Sequence, residues 1–175
     1  MQFTFKIQNN DLHGFIAHWS DRYRFNDEAR YIDNVGQDLT ADSRFALFSW
    51  KNGTGERIAA KKLESIERNY PLVPPEHLED RYLNHTNPGG AIWNIFYLHC
   101  IDPVTWPIFD QHTYRAMRFM QAGGNEDLGN SRKLIYSQYR TYREFIQELK
   151  IADSRKVDKA LFAFGQFLKL ARRYT

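Results

Sequence analysis

The chain has 175 residues, long enough to bury a real core, since a chain of this size removes roughly 70% of its unfolded surface on folding. Hydrophobic residues are 42% and charged residues 26%, which excludes disorder over most of the chain. The net charge of +3 permits a nucleic-acid partner without demanding one, and the lone cysteine, Cys100, excludes an internal disulfide framework and any four-cysteine zinc or iron–sulfur site.

Phe3, Phe5 and Ile7 alternate with Thr4 and Lys6, the period of a short strand or an extended arm. Asn9-Asn10-Asp11 reads as a helix cap, followed by Leu12, Phe15, Ile16, Trp19 and Tyr23 at helical spacing. Residues 24–40 are polar and predict a loop with a short helix or hairpin. Asp42 and Ser43 can cap a helix bearing Phe45, Leu47, Phe48 and Trp50, which Asn52-Gly53 stops. A helix from about Glu56 to Asn69 and a short one near Glu76–Asn84 follow, separated by Pro71, Pro74 and Pro75. The turn Asn87-Pro88-Gly89-Gly90 launches Ala91–Ile101, a segment apolar nearly all round and too short for a membrane, which predicts a central buried helix. Asp110 opens a helix from Gln111 to Gln121, ended by Gly123-Gly124. Two long helices close the chain, over about Ser131–Leu149 and Asp153–Arg173. The expectation is a mostly α fold: a compact, multi-helix single domain over 1–175, with at most a short N-terminal strand.

No run approaches the ~18 apolar residues of a membrane span, and the opening residues do not read as a signal peptide. A soluble, cytoplasmic setting is the resulting expectation. The chain carries no P-loop, His-Glu-x-x-His, Gly-x-Ser-x-Gly or EF-hand sequence, and its histidines lack metal-ligand spacing, so neither a metal nor a cofactor is expected. His99 reads as a packed, hydrogen-bonded core histidine, and Cys100 as a small buried hydrophobe. The basic groups Lys61-Lys62, Arg115 with Arg118, Arg132-Lys133 and Arg172-Arg173 read, each alone, as solvated helix faces.

One constellation stands out: the turn at Gly89-Gly90, the apolar helix behind it, and Asp110-Gln111-His112. Paired glycines let backbone approach a ligand, and a helix N-terminus offers N–H groups and a positive dipole end to a phosphate. Asp110 is equally a favoured N-cap, and Gly-Gly after Pro is equally a connecting turn.

The run from Asn87 to Met120 resembles the core of the helix-hairpin-helix DNA glycosylase superfamily, nearest its 8-oxoguanine glycosylase branch. The matching parts are Pro88-Gly89-Gly90, Ala91–Ile101, Trp106-Pro107-Ile108-Phe109, and Asp110-x-His112. The resemblance implies a helix-hairpin-helix element with a core at about 84–121 and a DNA partner carrying a damaged or modified base. It makes Asp110 the catalytic carboxylate, with His112, Gly89 and Gly90 on DNA phosphates. Base flipping needs stacking walls, for which Trp93, Tyr97, Trp106 and Phe109 are candidates; core packing is the competing role for each. The turn is one residue tighter than the family's Gly-x-Gly. No Lys or Arg occurs between Arg81 and Arg115, so the lyase nucleophile of bifunctional members is missing. The expectation is a monofunctional glycosylase using water, with non-catalytic DNA binding as the alternative, and a helical interaction protein as a third reading cued by the aromatic C-terminal helices.

Overall fold

The computed structural model describes residues 11–53, 57–84 and 86–172. The alternating segment Phe3–Ile7 lies outside the described residues. Nine helices and no strand occur among those described: α1 Leu12–Ser20, α2 Glu28–Ile32, α3 Ala41–Asn52, α4 Ala60–Asn69, α5 Leu78–Tyr82, α6 Ala91–Ile101, α7 Gln111–Ala122, α8 Arg132–Glu148 and α9 Ser154–Ala171. The mostly α reading holds.

Local chemistry sets most of the boundaries. The Asp11 carboxylate accepts from Gly14 N–H at 2.6 Å and starts α1. Helix α3 begins two to three positions earlier than a cap at Asp42 or Ser43 would place it: Thr40 is its N-cap, and Ser43 is the third helical residue of a reciprocal capping box. Gly53 ends α3 at φ +69°. Helix α4 starts at Ala60 rather than near Glu56, with Arg57–Ala59 non-helical before it.

The chain forms two compact units. The central unit comprises Phe25–Ile108 and Asn130–Tyr139. Its core is built on α6, where Ile95, Tyr97, Leu98 and Cys100 are fully buried. Phe48 stacks on Trp93 with centroids 5.5 Å apart, Trp50 stacks on Phe96 at 6.0 Å, and Tyr82 lies 4.7 Å from Tyr97. Such aromatic pairs add about 0.5–1.5 kcal/mol each beyond the area they bury. His99 is a hydrogen-bonded core histidine. Its Nδ1 lies 2.7 Å from the Trp106 carbonyl and its Nε2 2.8 Å from the Tyr31 hydroxyl. A carbonyl only accepts, so Nδ1 carries the proton and Nε2 accepts from Tyr31.

The other unit comprises Met1–Arg24, Phe109–Gly129 and Arg140–Thr175. Helix α9 packs against both α1 and α7 through the stripe Val157, Leu161, Phe164 and Leu168, all buried. Phe164 meets Phe15 at 5.1 Å, Trp19 at 5.0 Å and Phe119 at 5.5 Å. Gly165 is where the helices come closest: a Cβ there would lie 2.0 Å from the His112 carbonyl oxygen.

Candidate nucleic-acid interface

The candidate residues divide between the units at Ile108. Gly89, Gly90, Trp93, Tyr97 and Trp106 belong to the central unit, and Phe109, Asp110 and His112 to the other.

In the central unit, the turn 87–90 sits on a buried polar relay. Tyr70 donates its hydroxyl to Asn94 Oδ1 at 2.9 Å, and Asn94 Nδ2 donates to the Tyr136 hydroxyl at 2.9 Å. Burial pushes the Tyr70 and Tyr136 phenols above their ordinary pKa, keeping both neutral. Gly89 has φ +86°, and a Cβ on it would fall 2.5 Å from the Tyr70 hydroxyl and 2.6 Å from Asn94 Oδ1. Its lack of a side chain therefore serves a close approach to the protein's own relay. Gly90 has φ −84° and is the N-cap of α6, with no side-chain cap and no acidic residue in the first turn. The first helical bond runs from Asn94 N–H to the Gly90 carbonyl, so the N–H groups of Ala91, Ile92 and Trp93 precede the helical ladder.

Cations lie beside this turn and on the helix it opens. Arg132, at the start of α8, donates to the Asn87 carbonyl. Lys62 lies 4.3 Å from the Trp93 ring centroid, and its pKa is lowered by burial. Arg68 and Arg81, with Asn69, Tyr82, Asn87 and Pro88, line a cleft of about 210 Å³. The scattered positions 62, 68, 81 and 132 carry no run that a sequence reading could have joined; only the fold brings them to one turn.

In the other unit, Asp110 is the N-cap of α7. Its Oδ1 accepts from His112 N–H at 2.7 Å and Thr113 N–H at 3.1 Å, while Thr113 Oγ1 accepts from Asp110 N–H at 3.0 Å. The carboxylate is thus fixed in direction, and the residue is half-buried. His112 is also half-buried, its ring 5.0 Å from Phe162. Burial lowers the His112 pKa, helped by Arg115 and opposed by Asp110 and the Gly165 carbonyl.

Arg115 is not a solvated residue: only 1% of it is exposed. It donates from Nη2 to Asp127 at 2.7 Å and from Nη1 to the Gly165 carbonyl at 3.2 Å. Arg118 pairs with Glu126 at 2.8 Å. Spacing could not separate these two arginines, since both follow the same turn of α7. Asp127, which holds Arg115, lies in a polar stretch that carries no motif.

Three of the four aromatic candidates pack into the interiors of their units. Tyr97 is fully buried and donates its hydroxyl to the Pro71 carbonyl at 2.6 Å. Trp106 and Phe109 are 7% and 1% exposed. Trp93 is half-buried between Phe48 and Lys62. Among the described residues, no group of His, Cys, Asp and Glu is placed to hold a metal ion, and no helix is long and apolar enough to cross a membrane. No protein-family model matches the chain, and neither a curated protein nor a solved structure matches it.

Proposed function

We propose that this chain binds DNA through the turn at Gly89-Gly90 and acts as a monofunctional N-glycosylase through Asp110. The observation that carries the reading is the exposed Gly90 cap of α6, uncapped by any side chain, with Arg132 on the Asn87 carbonyl and Lys62 over the Trp93 ring. Backbone N–H groups, the positive dipole end and nearby cations favour the same ligand, a phosphate.

His112, in the other unit, offers a ring N–H to a DNA phosphate in this reading. Asp110 stabilises positive charge building on the deoxyribose as the bond to the base lengthens. In the balanced step, a water oxygen bonds to the sugar C1′ and the C1′–N bond breaks. The electron pair leaves with the base, which takes up a proton from solvent, while the water gives one up to Asp110. The segment between Arg81 and Arg115 lacks any lysine, so water is the nucleophile in this reading rather than an amine.

The test is incubation of the purified chain with duplexes carrying 8-oxoguanine, uracil or an alkylated base, followed by alkali cleavage. The expected result is base release from at least one duplex, lost in Asp110→Asn. If no duplex is cleaved but undamaged DNA binds with strong salt dependence, the non-catalytic alternative replaces the enzyme. Absence of both overturns the DNA reading.

A further inference from the structure

On the side of the turn lined by Asn87 and Pro88, a cleft of about 210 Å³ carries two guanidinium groups, Arg68 at the end of α4 and Arg81 in α5, and no carboxylate. At ~30 Å³ per water it holds roughly seven waters. That is below the usual range for a nucleobase-sized ligand and suits one tetrahedral oxyanion. The remaining polar lining is Asn69, Tyr82 and Asn87.

These polar neighbours are largely committed to the protein. Tyr82 donates to the Asn69 carbonyl at 3.1 Å, and the Asn87 side chain reaches the Asp80 carbonyl at 3.4 Å. The Arg81 charge opposes the rise that burial gives the Tyr82 phenol pKa. Arg68 makes no hydrogen bond or ion pair among the described residues. Arg132 on the Asn87 carbonyl brings a third guanidinium to the same turn. Two arginines that line one cleft with no carboxylate in its lining repel each other, and an anion between them removes that cost.

We infer that the Arg68–Arg81 cleft is a phosphate-binding site, separate from the α6 N-terminus. Its occupant is a phosphate group, supplied by a DNA backbone if the reading above holds or by free phosphate if it does not. On that reading, the cleft extends the phosphate track of the hairpin turn by one contact.

The experiment uses the full chain, the double variant Arg68→Met/Arg81→Met, and the control Arg22→Met/Lys150→Met, which removes the same charge at other exposed positions. Circular dichroism verifies that each folds. Binding of an undamaged 15-base-pair duplex is followed by anisotropy across a salt series. In parallel, inorganic phosphate is titrated at constant ionic strength while the Arg68 and Arg81 Nε–H resonances are observed.

The expected result is at least tenfold weaker duplex binding by the double variant, a salt slope reduced by about 0.9 for one lost phosphate contact, and less than a twofold effect in the control. A double variant indistinguishable from the control overturns the cleft while leaving the DNA reading intact. If the wild-type chain fails to bind DNA even at low salt, the DNA reading falls. The cleft is then upheld by saturable shifts of both Nε–H resonances with phosphate, and overturned by their absence.

Discussion

Arg115 Nη1 lies 3.3 Å from Nδ1 of His112, one helical turn away. A guanidinium cannot accept a hydrogen bond or lose its proton, so the imidazole accepts at Nδ1 and keeps its proton on Nε2. Burial and the Arg115 charge both disfavour a second proton, against Asp110 and the Gly165 carbonyl, which favour it. The His112 ring is therefore expected to titrate below the ordinary value of 6.5 and to show the Nε2–H tautomer at neutral pH. Nitrogen-15 NMR of the ring measures both. Arg115→Met should raise the pKa and remove the tautomer preference; an unchanged pair of ring nitrogen shifts would show that Arg115 does not set it.

Gly165 carries a second consequence of that packing. In an open helix, replacing Gly by Ala stabilises by about 1 kcal/mol. Here the new methyl would meet the His112 carbonyl oxygen at 2.0 Å and its carbon at 2.6 Å, and both are backbone atoms that cannot rotate away. Overpacking of this kind costs about 1–3 kcal/mol, and a contact this short belongs at the upper end. Gly165→Ala is expected to lower the urea midpoint clearly. A midpoint equal to or above that of the wild type would mean that α7 and α9 lie further apart than described.

Asp127 gathers Arg115 on Oδ1 and Arg172 on Oδ2, at 2.7 and 2.8 Å. The Arg115 hydrogen bond, then those of Gln111 and Arg172, hold its carboxyl down to about 2, against the opposing effect of burial. A depressed carboxylate pKa contributes stability that is complete above the unfolded value and is lost as pH falls through the folded one. The window is therefore from about pH 4 to about pH 2. Because Asp127 is 48% exposed, solvent screening leaves only a modest share of that stabilisation. Asp127→Asn should flatten the fall in stability over this window and lower it at neutral pH. Thermal melts of the two proteins between pH 7 and pH 2 read both effects.

The helices were legible wherever one residue type decides a boundary. Asp11, Asp110 and Asp153 cap α1, α7 and α9 by accepting backbone N–H groups, and Gly53 and Gly123 end α3 and α7 in the left-handed region. Residue type does not decide the start of α3, because Asp42, Ser43 and Thr40 are all good caps and only the reciprocal bonding of Thr40 with Ser43 selects one. The tyrosine row of α8 showed its period but not its partners. Tyr136, Tyr139 and Tyr142 are all buried; Tyr139 donates to the Pro107 carbonyl and Tyr142 packs on Phe109. These three tyrosines are thus core. The charged shell of the turn was illegible for a different reason. Lys62 and Arg68 come from α4, Arg81 from α5 and Arg132 from the start of α8, and pairings at that separation follow from tertiary packing alone.

The two glycines of the turn are expected to answer differently to the same substitution. Gly89 sits at φ +86°, where an L side chain costs about 1–2 kcal/mol. Its Cβ would also displace the Tyr70 hydroxyl from Asn94, leaving buried polar atoms without partners at about 1–3 kcal/mol. Gly89→Ala should therefore destabilise the fold by several kcal/mol. Gly90 has φ −84° and is exposed, and its Cβ would touch only Trp93 Cδ1 at 3.3 Å. Gly90→Ala should leave the melting temperature nearly unchanged. A larger residue there, as in Gly90→Leu, screens the N–H groups of α6 and should weaken duplex binding while the fold persists. Chemical denaturation of both variants, with anisotropy on the folded one, separates the two roles. Equal loss of stability at both positions would show that the turn is a structural connector only.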